Sequence, residues 1–139
     1  MKEDLNTLAS VFNESLKTNL SHIDSEKIDI ILDNRDSSEF SEAWMDAYQS
    51  IEEKEINSEI EDQIHDIRKE IFISTFRATG SSELSAYISD DFGLICSYYI
   101  QAIENKWVTS LLFNYLHHQI PQGEPMNTDK TMRALISVK

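Results

Sequence analysis

The sequence predicts an all-α protein, a single compact domain of five to seven helices over residues 1–139. Apolar residues recur at three- and four-residue spacing along almost the whole chain, which is the pattern of amphipathic helices. Three glycines and two prolines are too few turn-forming residues for a many-stranded sandwich or barrel. Apolar residues make up 40% of the 139 positions, which is enough to fill the core of one domain.

The first three predicted helices each carry one apolar face. The first runs from about residue 3 to residue 20, and a short second helix begins at a cap formed by Asp24 or Ser25. Asp36 lies three residues before Glu39, the spacing of a capping box, and predicts the start of a third helix. The apolar positions of these helices are Leu5, Leu8, Phe12 and Leu16; Ile28, Ile31 and Leu32; and Phe40, Ala43, Trp44, Ala47, Tyr48 and Ile51.

A change of helical phase predicts a break between the third and fourth helices. A new stripe of isoleucines follows the third helix, and at about 100° per residue it would point to nearly the opposite side of a continuous rod. We therefore expect the chain to bend between Glu52 and Asn57. Ser58, with Glu61 three residues later, predicts the cap of the fourth helix, and Thr79-Gly80 predicts its end. The isoleucine stripe consists of Ile56, Ile60, Ile64, Ile67 and Ile71.

Residues 82–104 are predicted to form either one helix or two. Ser81 or Ser82 caps this segment, but Ser89-Asp90-Asp91 in its interior resembles a second helix start. The apolar stripe of the segment consists of Leu84, Ile88, Phe92, Ile95, Tyr99 and Ile103.

The last long helix is predicted to begin after Asn105 and to end at Pro121. Residues 122–139 form either a tail or a short helix. The short helix would carry Met132, Leu135 and Ile136.

The charge of the chain is strongly negative and unevenly distributed. The formal net charge is −13, from 25 acidic and 12 basic residues, which disfavours a nucleic-acid-binding function. Residues 36–66 contain eleven acids and one base, Lys54. We predict that a basic protein partner docks on two single-sign helical faces; the alternative is an acidic surface that serves only solubility. The predicted partner-binding residues are Glu39, Glu42 and Asp46 on the third helix, and Glu55, Glu59, Asp62 and Asp66 on the fourth.

Nothing in the sequence predicts a membrane or export signal. No segment reaches the roughly 20 predominantly apolar residues that a spanning helix needs, and the acidic start of the chain is unlike a signal peptide. The one cysteine, Cys96, precludes an intrachain disulfide and is expected to be a buried apolar residue. We expect a cytoplasmic protein.

No pattern of residues predicts catalysis, a metal or a cofactor. Asp62 and His65 have the spacing of a helical carboxylate–histidine metal pair, but a di-metal bundle needs a second pair, which the chain lacks. His117 and His118 are adjacent and would point about 100° apart on a helix. We therefore expect the protein not to be an enzyme.

Part of the chain resembles a known class of protein. Residues 83–95 (ELSAYISDDFGLI), Trp107, residues 111–115 (LLFNY) and Ile120-Pro121 together resemble small acidic bacterial immunity proteins. Such proteins are encoded beside the toxins of polymorphic or contact-dependent growth inhibition systems. The resemblance implies binding and neutralisation of a cognate toxin domain, in many cases a nuclease, in the cytosol. Because contact residues vary between pairs in this class, the resemblance assigns none here.

Two other functions remain open at this point. One is a helical adaptor or assembly subunit that binds a basic partner, and the other is a small helical enzyme. The gene order separates them, because an immunity gene is expected directly after the gene of a large secreted protein with a variable C-terminal domain.

Overall fold

A computed structural model of the protein describes residues 2–137. These residues contain seven α-helices and no strands. The helices are α1 (Lys2–Leu20), α2 (Ser25–Arg35), α3 (Ser38–Ile51), α4 (Ser58–Thr79), α5 (Ser82–Gln101), α6 (Lys106–Leu116) and α7 (Met132–Ser137). The predicted all-α class and single compact domain are confirmed. None of these helices is both long and apolar enough to cross a lipid bilayer.

Helix α5 lies at the centre of the fold. It packs along α4 and also contacts α1, α2, α3 and α6. Its predicted stripe is buried from Leu84 to Tyr99. The ring of Phe12 on α1 lies 5.0 Å from that of Phe92 on α5 and 4.6 Å from that of Tyr115 on α6. These three rings join the helices that enclose the core.

The predicted break after the third helix is confirmed. Helix α3 ends at Ile51 and α4 begins at Ser58, so residues 52–57 form a connector. Glu55 belongs to this connector, and its predicted place on the fourth helix is therefore wrong.

Two predicted helix caps are wrong by one residue. Ser37, and not Asp36, caps α3, because Asp36 already has the helical backbone conformation that ends α2. Asn57, and not Ser58, caps α4, and its side-chain oxygen accepts a 2.8 Å hydrogen bond from the Glu59 amide. Asn105 caps α6 as predicted, and the alternatives left open for α2 and α5 resolve to Asp24 and Ser81.

One helix or two were predicted for residues 82–104, and the structure has one. This helix, α5, runs through Ser89-Asp90-Asp91 without a restart.

Helix α6 ends at Leu116 and not at Pro121, because His118 adopts a left-handed backbone conformation with a φ of 60°. Past the turn, the short helix α7 buries Met132, Leu135 and Ile136, as the short-helix alternative predicted. Gly80, with a φ of 71°, ends α4 as predicted.

Candidate functional site

A buried ion pair between α2 and α5 organises the polar interior. Arg35 Nη1 donates a 2.8 Å hydrogen bond to Asp91 Oδ2, and Arg35 Nη2 donates a 2.7 Å bond to Asp91 Oδ1. Arg35 is 4% exposed and Asp91 is 0% exposed. Charge-assisted pairs with two parallel bonds fix the relative orientation of their helices as well as contributing energy.

Two further side chains complete the surroundings of the Asp91 carboxylate. The Trp44 indole Nε1 on α3 donates to Oδ1 at 2.9 Å, and the Tyr115 hydroxyl on α6 donates to Oδ2 at 2.6 Å. Arg35 also donates to the Pro121 carbonyl at 3.0 Å. One carboxylate thereby joins four helices, and the set Arg35, Trp44, Asp91 and Tyr115 is called the Asp91 cluster below.

The environment of the Asp91 cluster favours one protonation state. Burial by itself would lower the pKa of the Arg35 guanidinium, but the Asp91 carboxylate more than offsets this, so the pKa is raised. Burial raises the pKa of the Tyr115 hydroxyl well above its usual value, and the Asp91 carboxylate raises it further. Arg35 is therefore charged and Tyr115 is neutral throughout the physiological range.

The Asp91 cluster was not predicted from the sequence, although a signal for it exists. Asp91 lies three residues after Ile88 and four before Ile95, which places it on the apolar stripe of α5. Arg35 continues the stripe of α2 four residues after Ile31. Two opposite charges on buried stripes indicate an interior ion pair, because an isolated buried charge is very costly.

A groove of about 790 Å³ runs between α3 and α4, with α5 as its floor. We call it the α3–α4 groove. The α3 wall contributes Trp44, Met45 and Tyr48, the α4 wall contributes Glu61, Asp62, His65 and Arg68, and the floor contributes Asp90, Gly93, Leu94 and Ser97.

The α3 wall of the groove is aromatic and apolar. The rings of Trp44 and Tyr48 stack with centroids 5.7 Å apart and planes 19° apart. Met45 is 45% exposed and Tyr48 is 43% exposed, while Trp44 is half-buried. Because Trp44 donates to Asp91, the Asp91 cluster holds this wall in place.

The floor of the groove carries a cation that is already paired. Arg68 lies across Gly93, where a Cβ atom would approach the Arg68 Cδ to 3.0 Å, so a larger residue at this position would require the Arg68 side chain to shift. Arg68 Nε donates to the Ser89 carbonyl at 3.1 Å, and Nη2 donates to the Asp90 carboxylate. Burial raises the pKa of Asp90, although the Arg68 guanidinium acts to lower it.

A second cavity adjoins the groove on the other side of Trp44. This Arg35 cavity has a volume of about 240 Å³ and shares Trp44, Met45 and Asp90 with the groove. Its far wall consists of Arg35, Asp36 and Tyr87, and the Tyr87 hydroxyl donates to Asp36 at 3.1 Å. The Arg35 guanidinium lies 4.6 Å from the Phe40 ring and 4.8 Å from the Tyr87 ring.

All seven predicted partner-binding residues are exposed, but they do not converge on one site. Among the seven, Asp62 lines the α3–α4 groove. At about 100° per residue, the three acids of α3 lie about 170° around the helix from the Trp44–Tyr48 pair. The acids of α3 therefore face away from the groove, on the opposite side of that helix from its aromatic wall. The groove acids that the prediction omitted are Glu52, Glu61 and Asp90.

The residues considered for metal binding are also placed by the fold. Asp62 and His65 both line the groove. Within residues 2–137, no group of three or more His, Cys, Asp or Glu side chains is arranged to hold a metal ion. Cys96 is fully buried, as expected.

Comparison with known families places these features in context. The chain matches the family described as immunity protein PIM1 over residues 6–122, most of its length. The matched range contains the Asp91 cluster, the α3–α4 groove and all seven predicted acids. A comparison with curated proteins finds no match. Because one family accounts for most of the chain, the protein belongs to the PIM1 family of immunity proteins.

Proposed function

We propose that this immunity protein acts in the cytoplasm, where it binds a cognate toxin domain with a basic surface, a nuclease, and neutralises it by occupying that surface. The observation that carries the proposal is the acid-rich span 36–66, in which eleven acids accompany one base and all seven predicted residues are exposed. A nuclease holds phosphate groups with lysine and arginine, so a carboxylate-rich inhibitor satisfies the same groups.

The helical energetics support a selected acidic surface. Acids three or four residues apart on one helix destabilise it by about 0.2–0.5 kcal/mol for each pair. Helices α3 and α4 contain four such pairs among the predicted residues (39–42, 42–46, 59–62 and 62–66), which together cost about 1–2 kcal/mol before salt screening. Interspersed lysines would remove this cost, as on an ordinary solvated surface. The cations of a basic partner offset this repulsion when the complex forms.

The proposed action is binding without catalysis. The toxin is encoded next to this chain in a polymorphic or contact-dependent growth inhibition system, and steering by the acidic surface lets the inhibitor reach it quickly. Neutralisation then requires only that the lifetime of the complex exceed the time in which the toxin meets its substrate.

One observation favours a different function, that of a helical adaptor. The C-terminal half of α4 exposes Ile73 and Phe76, and the Phe76 ring stacks on Phe72. An exposed apolar face of this kind suits a partner helix. Lys69, Glu70 and Arg77 lie three or four residues from Ile73, so the charge beside this surface is net positive and lacks the excess of carboxylates that a basic toxin requires.

The proposal is tested by titrating the variable C-terminal toxin domain encoded directly upstream with this protein. Nuclease activity on labelled DNA and RNA should fall to zero at one equivalent of inhibitor. Co-expression should restore the growth of cells that produce the toxin domain. Full toxin activity at excess inhibitor would contradict the proposal, and capture of a different helical partner by Phe76 would favour the adaptor function.

A further inference from the structure

We propose that the α3–α4 groove, together with the adjoining Arg35 cavity, receives a lysine or arginine side chain of the toxin domain, with Trp44 as the platform on which that cation rests. This inference depends on the proposed function, since it names where and how the toxin is gripped. It concerns residues that the acidic prediction did not include, apart from Asp62.

The aromatic wall supplies the first part of the argument. Trp44 lines both spaces, and its ring stacks with the ring of Tyr48. Trp is the most favourable aromatic residue for a cation–π contact, and Trp and Tyr are enriched at binding hot spots. Met45 and Tyr48 are nearly half exposed, although each is large enough to fill a core position. An exposed aromatic and apolar wall beside a deep groove is typical of an interface core.

The charges around the wall determine the chemistry of the occupant. Glu52, Glu61, Asp62 and Asp90 line the groove, against Lys54, His65 and Arg68. Arg68 forms an ion pair with Asp90, and Arg35, which lines the cavity, forms an ion pair with Asp91. The carboxylates of Glu52, Glu61 and Asp62 therefore outweigh the remaining Lys54. An incoming cation gains both aromatic contact and carboxylate partners there.

Buried hydrogen bonds explain why Trp44, in the α3 wall, is held in one orientation before a partner binds. The Trp44 indole is anchored by its bond to Asp91, whose carboxylate is held at both oxygens by Arg35. A side chain held in one orientation before binding loses less conformational entropy when the complex forms. Asp91, held by Arg35, thus acts as a positioning residue for Trp44.

The other exposed surfaces fit a basic partner less well. The Ile73–Phe76 surface of α4 is bordered by Lys69, Glu70 and Arg77, whose net charge is positive and therefore does not favour a cation. A third cavity, of about 260 Å³, is lined by His22, Lys27 and His118 together with isoleucines, and no carboxylate lines it. The groove combines exposed aromatic groups with excess negative charge.

Two matched variants test the inference by calorimetry with the purified upstream-encoded toxin domain, inactivated at its catalytic residue. Tyr48→Ala removes a groove aromatic that is 43% exposed, and Phe76→Ala removes an aromatic that is 45% exposed outside the groove. We expect Tyr48→Ala to raise Kd by about 30-fold, the level of a hot-spot residue, and Phe76→Ala to change it by less than about threefold. Asp62→Asn should also weaken binding, and circular dichroism should show unchanged helix content in all three.

The outcomes separate this inference from the proposed function. Tight binding by the wild type with equal Kd values for Tyr48→Ala and Phe76→Ala would overturn the groove assignment and leave the proposed function standing. A larger loss for Phe76→Ala would move the interface to the end of α4 and would also overturn it. A wild-type dimer that Tyr48→Ala dissociates, with toxin affinity unchanged, would assign the groove to a second copy of this chain. Absence of binding by the wild type would refute both proposals.

Discussion

Arg35 and Asp91 are 56 residues apart in the chain and meet in the protein interior through two parallel hydrogen bonds of 2.8 and 2.7 Å. Their side chains are 3% and 0% exposed. The same carboxylate accepts hydrogen bonds from Trp44 and Tyr115. Asp91 on α5, the helix that forms the groove floor, is therefore held by Arg35 and in turn holds Trp44 in the α3 wall, on which we propose that the toxin rests.

Removing one partner of this pair should be far more costly than removing an exposed pair. Arg35→Met leaves the Asp91 charge buried, and breaking a buried pair costs about 3–5 kcal/mol. Arg68→Met breaks the pair with Asp90, whose members are 38% and 46% exposed, and should cost no more than about 1 kcal/mol. Urea unfolding followed by circular dichroism measures both losses.

The double variant Arg35→Met with Asp91→Leu provides the control for this prediction. It removes both charges, so it should be more stable than Arg35→Met alone. Equal losses of unfolding free energy for Arg35→Met and Arg68→Met would show that the buried Arg35–Asp91 pair contributes no more to stability than the exposed Arg68–Asp90 pair.

Stability should fall at alkaline pH, partly through Tyr115. Burial raises the pKa of this hydroxyl well above its usual value, whereas the unfolded chain releases the proton at a pKa of about 10. The sign follows from linkage: above pH 10 the folded state holds a proton that the unfolded state has lost, so the free energy of unfolding decreases as pH rises. Below pH 10 the full contribution of Tyr115 is present.

Tyr115→Phe isolates that contribution. At pH 7 it should destabilise the protein by about 1–3 kcal/mol, because Asp91 loses a donor. Between pH 9.5 and 11 its unfolding free energy should decline less steeply than that of the wild type. Parallel curves from urea titrations across this range would contradict the assignment. Tyr87→Phe, at a half-buried residue where burial raises the hydroxyl pKa less strongly, serves as the comparison and should flatten the decline less.

Cys96 should be unreactive in the folded protein. Its side chain is fully buried and burial raises the pKa of its thiol well above the usual value, so little thiolate forms at neutral pH. A disulfide reagent such as DTNB should label the native protein only as fast as the structure opens, and at once in concentrated urea. Ser50→Cys in a Cys96→Ala background places a thiol at an exposed position and should react immediately. Rapid labelling of native wild type would show that Cys96 is accessible.

The helices could be predicted from the sequence because their signals are local. The phase change between the stripes of α3 and α4 predicted the break at residues 52–57, and Gly80 marked the end of α4. The caps at Asp36 and Ser58 were misplaced by one residue, since neighbouring polar residues compete for the same role and backbone conformation decides between them.

The site could be predicted only in part, because it depends on how distant helices pack. Asp91 was interpreted as a helix start, and its burial follows from Arg35, which reaches it across 56 positions. The α3–α4 groove is lined by two helices that are consecutive in sequence and by α5, an arrangement that no periodicity within a single helix reveals. The acids of span 36–66 were visible as a composition bias, but the sequence did not show which of them line the groove and which face away from it.

The association rate of the toxin domain at two salt concentrations tests the central claim, that the acidic surface captures a basic toxin. At about 0.01 M ionic strength the wild type should associate at up to about 10⁸–10⁹ M⁻¹s⁻¹, and the rate should fall steeply at about 0.15 M, where the Debye length is only about 8 Å. The variant Glu55→Gln, Glu59→Gln, Asp62→Asn, Asp66→Asn should associate more slowly at low salt and lose most of the salt dependence. A control variant neutralises four exposed acids elsewhere and should remain close to the wild type; its positions are Glu26, Asp29, Asp33 and Glu104. Equal stopped-flow rates for the wild type and the first variant, unchanged by salt, would contradict the account.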